Sequence, residues 1–217
     1  MLATVRMPPG RRRVAQVRRR NPSVLLLGVD GVLQFRRAEF AASMAADYQW
    51  RDSFDAFQRE LFADPVYADC LTGDRDFLDL ADRVLARHVT GLTAERFLDR
   101  WLREGTELNG ELLQRVPGWG FDLVFLATNQ EPLRGSFLQR RYASYPWCTG
   151  VFLSCRIGAA MPDRRFFTYV LEDLRQPATE CLLVDAAADA CAAAGEQGWH
   201  AIRFTGNEQL AAAIDGL

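Results

Sequence analysis

Apolar residues along this chain fall into two kinds of block. Five short runs are almost wholly apolar, at residues 24–29, 123–127, 151–154, 181–184 and 201–204. Their length and composition are those of strands. Helical periodicities lie between them. Strands that alternate with helices predict an α/β fold, with a parallel sheet covered on both faces. A site on such a sheet is expected beyond the carboxyl ends of the strands.

The alternation is interrupted once. Residues 35–115 carry helical patterns only. Phe54, Phe57 and Leu61 recur at i, i+3, i+7, and Phe77, Leu80, Val84 and Leu85 repeat the spacing with an added i+8. Thr93 is placed to N-cap a helix bearing Phe97, Trp101 and Leu102. Residues 39–50 form another candidate. The pattern predicts a bundle of about four helices inserted after the first strand. Trp50, Phe54, Phe57, Phe97 and Trp101 are expected to face its interior. The alternative is a partner surface or a lid over an apolar ligand.

Composition narrows the class. The chain has 217 residues, 49% of them hydrophobic, enough for one domain or one domain with an insert. No apolar run reaches the roughly 18 residues of a membrane span. The start lacks the apolar core of a secretory signal. Cys70, Cys148, Cys155, Cys181 and Cys191 are odd in number and form no C-x-x-C, which predicts reduced thiols in a cytoplasmic protein. His88 and His200 are the only histidines and lack ligand spacing, so no zinc site is expected. All 26 basic residues are arginine.

Charge is uneven. Seven of the arginines fall in the first 20 residues with no acid among them, so the rest holds all 28 acids against 19 arginines. A disordered extension over residues 1–21 is expected, and a nucleic-acid or other acidic partner is the lesser alternative. No aromatic residue interleaves these arginines to stack on bases.

Four ordered motifs carry chemistry. "GVDGVL" follows the first strand. "FLATNQ" ends the second. "SCRIGAAMPDRRFFTYVLEDL" places a Pro-Asp before a helix. "CLLVDAAADACAAAGEQGWHAIRF" joins a strand ending in an acid to a helix, a glycine and another strand. In this order, around a helical insert, the chain resembles the haloacid dehalogenase superfamily of phosphatases and dehalogenases. The resemblance covers residues 22–206. It implies a Rossmann-like α/β core at 22–34 and 116–217 and a helical cap at 35–115.

The resemblance also implies a mechanism. A carboxylate attacks phosphorus, or a carbon bearing halogen, to form an aspartyl intermediate. A second carboxylate two residues on acts as acid and base. A Ser or Thr and a Lys neutralise the transferring group, and acids of the fourth motif hold magnesium. Matched position by position, much of this is missing. The nucleophile position is Gly28. The lysine position is Met161. The second acid of the fourth motif is Ala186. Asp30 keeps the acid/base position, and Thr128 and Asn129 keep the second motif. Asp185 remains as a weak or vestigial metal ligand, and Asp189 joins it only under a one-residue shift; otherwise Asp189 is a charge near a helix start. Losing the nucleophile of a covalent mechanism costs about 10⁶ in turnover.

Three readings follow. The chain is a degenerate member of the family, a pseudoenzyme that binds an unknown small molecule or protein, with no cofactor. Alternatively it runs metal-free chemistry in the cap–core cleft, with Asp30 as acid/base and Thr128 and Asn129 as substrate contacts. Or it is a weak magnesium-dependent phosphatase using Asp30, Asp185 and Asp189. Asp30 itself is read either as a catalyst or as a loop anchor accepting backbone N–H bonds.

Overall fold

The computed structural model describes residues 21–217; the arginine-rich segment 1–20, with the expectations attached to it, lies outside the described residues. A five-stranded parallel sheet forms the centre. Its strands are β1 (Val24–Gly28), β4 (Leu123–Thr128), β5 (Gly150–Leu153), β6 (Cys181–Asp185) and β7 (His200–Arg203), in the spatial order β5-β4-β1-β6-β7. The five apolar runs therefore locate the five strands, each within a residue or two.

Side-chain alternation along β1 explains why its run is unbroken. Leu25 and Leu27 enter one buried cluster with Leu126, Leu182 and Val184. Val24 and Leu26 enter another, on the opposite face, with Phe166, Phe167 and Leu183. A central parallel strand is covered twice, so both its odd and even positions must be apolar. The covering helices are α7 (Pro132–Tyr142), α9 (Arg164–Leu174), α10 (Ala188–Glu196) and α11 (Asn207–Asp215), with the short α8 (Ser154–Ile157) following β5.

Between β1 and β4 stand α1 (Ala38–Asp47), α2 (Phe54–Ala63), α3 (Pro65–Thr72), α4 (Phe77–His88), α5 (Ala94–Glu104) and α6 (Gly110–Arg115). Local chemistry sets several starts. Ser53 caps α2, Asp64 caps α3 ahead of Pro65, Asp76 caps α4 and Thr93 caps α5, each side chain accepting a first-turn N–H. Phe54, Phe57, Leu61, Leu80, Val84 and Phe97 share one buried cluster, as their spacing predicts. Trp50 and Trp101 are only partly buried at its edge.

Two features depart from the sequence reading. Helix α6 falls inside the range expected for the insert, yet Leu112 and Leu113 pack with Leu25 and Leu27 in the core cluster. The insert is also joined by a small antiparallel ribbon of β2 (Gln34–Arg36) and β3 (Thr106–Leu108). Three residues per strand are too few to carry a readable alternation.

The insert is fastened to the core. Ser154 Oγ donates to Leu71 O at 2.6 Å, and Arg141 Nη2 donates to Leu102 O at 3.2 Å. Gly73, at φ 84°, comes so close to α8 that a Cβ there would stand 2.6 Å from the Cys155 carbonyl oxygen. Only glycine meets both demands at once. The five cysteines are unpaired, and among the described residues no helix is long and apolar enough to cross a membrane.

Candidate functional site

Gly28, Thr128 and Asp185 end three neighbouring strands, β1, β4 and β6, so their backbones converge at the carboxyl edge of the sheet. Asp30 lies two residues beyond β1, in a turn where Leu33 and Gln34 both donate their N–H to Val29 O. Met161 follows the β5–α8 unit and packs into the second face of the core. The structure thus brings together all the motif positions named from the sequence.

Their contacts are specific. Each Asp30 oxygen accepts two bonds. Oδ1 takes Gln34 Nε2 at 2.8 Å and Arg134 Nη2 at 2.7 Å; Oδ2 takes Gln130 Nε2 at 2.7 Å and Arg134 Nη1 at 2.6 Å. A carboxylate has about four lone-pair sites, and all four are engaged. Desolvation in the cleft pushes the Asp30 carboxyl upward, but the Arg134 charge and the bonds from Arg134, Gln34 and Gln130 outweigh it and hold it below its usual range. An anchoring role for Asp30 through backbone N–H groups is therefore corrected: the anchors are side chains.

Arg134 is the centre of this arrangement. Its side chain is 8% exposed, and it also donates to Gln130 Oε1 at 2.6 Å. Its guanidinium lies 4.8 Å from the ring centroid of Trp101, on α5. One cation thus joins core and insert, by an ion pair on one side and a cation–π contact on the other. Glu131 sets its position by capping α7, accepting N–H bonds from Leu133 and Arg134 at 2.6 Å each.

The other motif residues are also committed. Thr128 Oγ1 accepts from Gln130 Nε2 at 2.9 Å. Asn129 closes a two-point bond with the Met161 backbone, donating to its O at 2.7 Å and accepting its N–H at 2.8 Å. Asn129 therefore fastens the loop that carries Met161. Arg165 pairs with Asp163 on the surface, and none of Arg156, Arg164 and Arg165 lines the cleft beside Met161.

The space at Gly28 is taken by a neighbour. A Cβ on Gly28 would stand 2.5 Å from Asp185 Oδ2 and 3.0 Å from its Cγ. Asp185 Oδ1 accepts the Ala187 N–H at 2.8 Å. Burial is the main force on this carboxyl and raises it to about 6; the Asp189 and Asp30 charges add, while backbone bonds from Ala187 and Ala186 oppose.

The residues do not fit a magnesium centre. Ala186 and Gly28 offer no side-chain oxygen, Asp30 has no acceptor site left, and Asp189 is an exposed residue in the first turn of α10. Among the described residues, no group of three His, Cys, Asp or Glu side chains is arranged to hold a metal.

Two cavities flank Asp30. One, about 250 Å³, lies between Thr128, Met161, Asp185 and Asp189. The other, about 410 Å³, opens on the insert side and is walled by aromatic residues, Arg36 and Arg134. Sequence reasoning missed Gln34, Gln130 and Arg134. One signal was available: an arginine in the first turn of a helix opposes the dipole, and so calls for an acidic partner.

Solved structures share this architecture. The chain matches a predicted HAD-like hydrolase from Porphyromonas gingivalis at TM-score 0.68 and 20% identity, over 88% of this chain and 96% of that one. It matches a HAD family enzyme from Bacteroides thetaiotaomicron, solved with magnesium and inorganic phosphate, at 0.64 and 16%, over 83% and 93%. The L-2-haloacid dehalogenase of Xanthobacter autotrophicus, with chloropropionic acid covalently bound, matches at 0.62 and 16%, over 89% and 82%. No family model matches the sequence. No curated protein matches it significantly in sequence. The fold is that of the haloacid dehalogenase-like hydrolases.

Proposed function

We propose that this chain is a catalytically degenerate member of the haloacid dehalogenase-like hydrolases, and that it acts by binding. The observation that carries this reading is the saturation of Asp30 by Gln34, Gln130 and Arg134. A general acid must release its proton and a general base must accept one. Asp30 has no free lone pair and is held ionised. Beside it, Gly28 supplies no nucleophile and Met161 no cation. The cleft at Asp185 carries two further acids and no basic residue in its lining, a poor host for a phosphoryl group.

The test is hydrolysis of p-nitrophenyl phosphate and acetyl phosphate with magnesium. No turnover above background is expected. Turnover at ordinary enzyme rates, abolished by Asp30→Ala, overturns the reading.

A second reading rests on Asp185. A buried carboxyl raised to about 6, on the wall of a 250 Å³ cavity, is tuned for proton transfer near neutral pH. Metal-free acid–base chemistry in this fold would then use Asp185 rather than Asp30. Its sign is a hydrolase or lyase activity that follows a pH profile with a limb near 6 and disappears in Asp185→Asn.

A further inference from the structure

We propose that the chamber on the insert side of Asp30 binds a small aromatic monocarboxylate; this rests on the binding reading above and names its ligand class. The two cavities differ in charge. In the lining of the smaller one stand Asp30, Asp185 and Asp189 without a basic side chain. The larger one is lined by Arg36 and Arg134 against Asp30, and Asp55 stands 3.6 Å from Arg36, so its charges balance where the smaller cavity holds three acids. An anion is therefore directed to the insert side.

The chamber's two arginines are not equivalent. Arg134 spends both terminal nitrogens on Asp30 and Gln130 and lays its flat face on Trp101. Arg36, on β2, bonds to Gln58 through Nη2 and stands 3.6 Å from Asp55, with over half its side-chain surface exposed. The other edge of its fork faces no acceptor among the described residues. A guanidinium with a free edge receives a planar carboxylate at two points. With Asp55 already beside its Nη2, the guanidinium has one edge to offer, which matches a monoanion and is too little for a phosphate dianion.

The rest of the wall selects the body of the ligand. Phe62, Tyr67 and Trp101 form a ring cluster with centroids 5.1 Å (Phe62–Tyr67) and 5.7 Å (Phe62–Trp101) apart, and Phe40 also lines the chamber. Rings packed in this way accept a flat ring at an edge or offset face. The volume of about 410 Å³ lies in the range of small-ligand sites and admits a two-ring body.

The test titrates the full chain with 2-naphthylacetate, its primary amide and acetate by isothermal calorimetry, alongside the magnesium–p-nitrophenyl phosphate assay. The acid is expected to bind, the amide roughly tenfold or more weakly, and acetate not at all, since a charge-assisted bond is lost in one case and the apolar body in the other. Arg36→Gln is expected to bring the acid down to the affinity of the amide and leave the amide unchanged. Phe62→Ser, at a position 37% exposed, should weaken both alike, with an unchanged thermal melt as the check on the fold. Equal affinity of acid and amide, or binding of the acid unmoved by Arg36→Gln, overturns the inference. So does no binding of the acid in millimolar titration without phosphatase turnover, an outcome that leaves the degenerate-site reading in place. Magnesium-dependent turnover overturns that reading and this inference with it.

Discussion

Asp30 and Arg134 are held together by two parallel hydrogen bonds, at 2.6 and 2.7 Å, across 104 positions of chain. Arg134 is 8% exposed and Asp30 45%. Removing one partner of a buried ion pair typically costs about 3–5 kcal/mol, because the other charge is stranded. Water reaches Asp30 and screens it, so Arg134→Ala is expected to cost about 2 kcal/mol in urea denaturation. Asp30→Asn should cost less, and the double mutant less than the sum of the two. Additive effects would show that the pair is not coupled.

The same pair sets an acid limit. A carboxyl held below its ordinary value binds its proton later in the folded state than in the unfolded chain. The stability it lends is present above the unfolded value, about 3.9, and fades as pH falls through the lower folded value. Wild type and Arg134→Ala are thus expected to differ at neutral pH and to converge at strongly acid pH in thermal melts.

Asp185 has the opposite sign. Its carboxyl is raised to about 6, so the folded chain binds a proton that the unfolded chain releases. Stability falls as pH rises from about 4 to 6, by an amount on the order of 3 kcal/mol. Asp185→Asn keeps the oxygen that accepts the Ala187 N–H and removes the buried charge. It is expected to stabilise the protein at pH 8, with the gain shrinking below pH 6. A gain that is flat with pH would sink the assignment.

Gly73 tests how firmly the insert is attached. Alanine there must accept φ 84° and a Cβ 2.6 Å from the Cys155 carbonyl. Gly73→Ala is expected to cost about 1–3 kcal/mol. Hydrogen exchange should quicken at α3 and α8 ahead of the sheet. Uniform change across the chain would show that the contact is not a local fastener.

How much of this was legible in the sequence differs from element to element. The strands were, because a sheet covered on both faces requires runs such as 24–29 to be apolar at every position. The helices of the insert were, through periodicity and through caps such as Ser53 and Thr93. The β2–β3 ribbon was not, since three-residue strands carry no period. Nor was the placement of α6, whose leucines fit either layer until the packing is known. At the site, the residues at 28, 161 and 186 could be read from their positions. The contacts around them could not. Gln34, Gln130 and Arg134 reach Asp30 from 4, 100 and 104 residues away, and a chain read in order does not show such meetings.

The Asp185 carboxylate that leans into the space beside Gly28 has a consequence for the backbone of the cleft. Any side chain at position 28 would set its Cβ 2.5 Å from Asp185 Oδ2, so Asp185 would have to swing away and give up its bond from the Ala187 N–H. An aspartate at 28 would add a second carboxyl against one already desolvated. The two positions are therefore coupled: what stands at 28 sets the rotamer that Asp185 can hold.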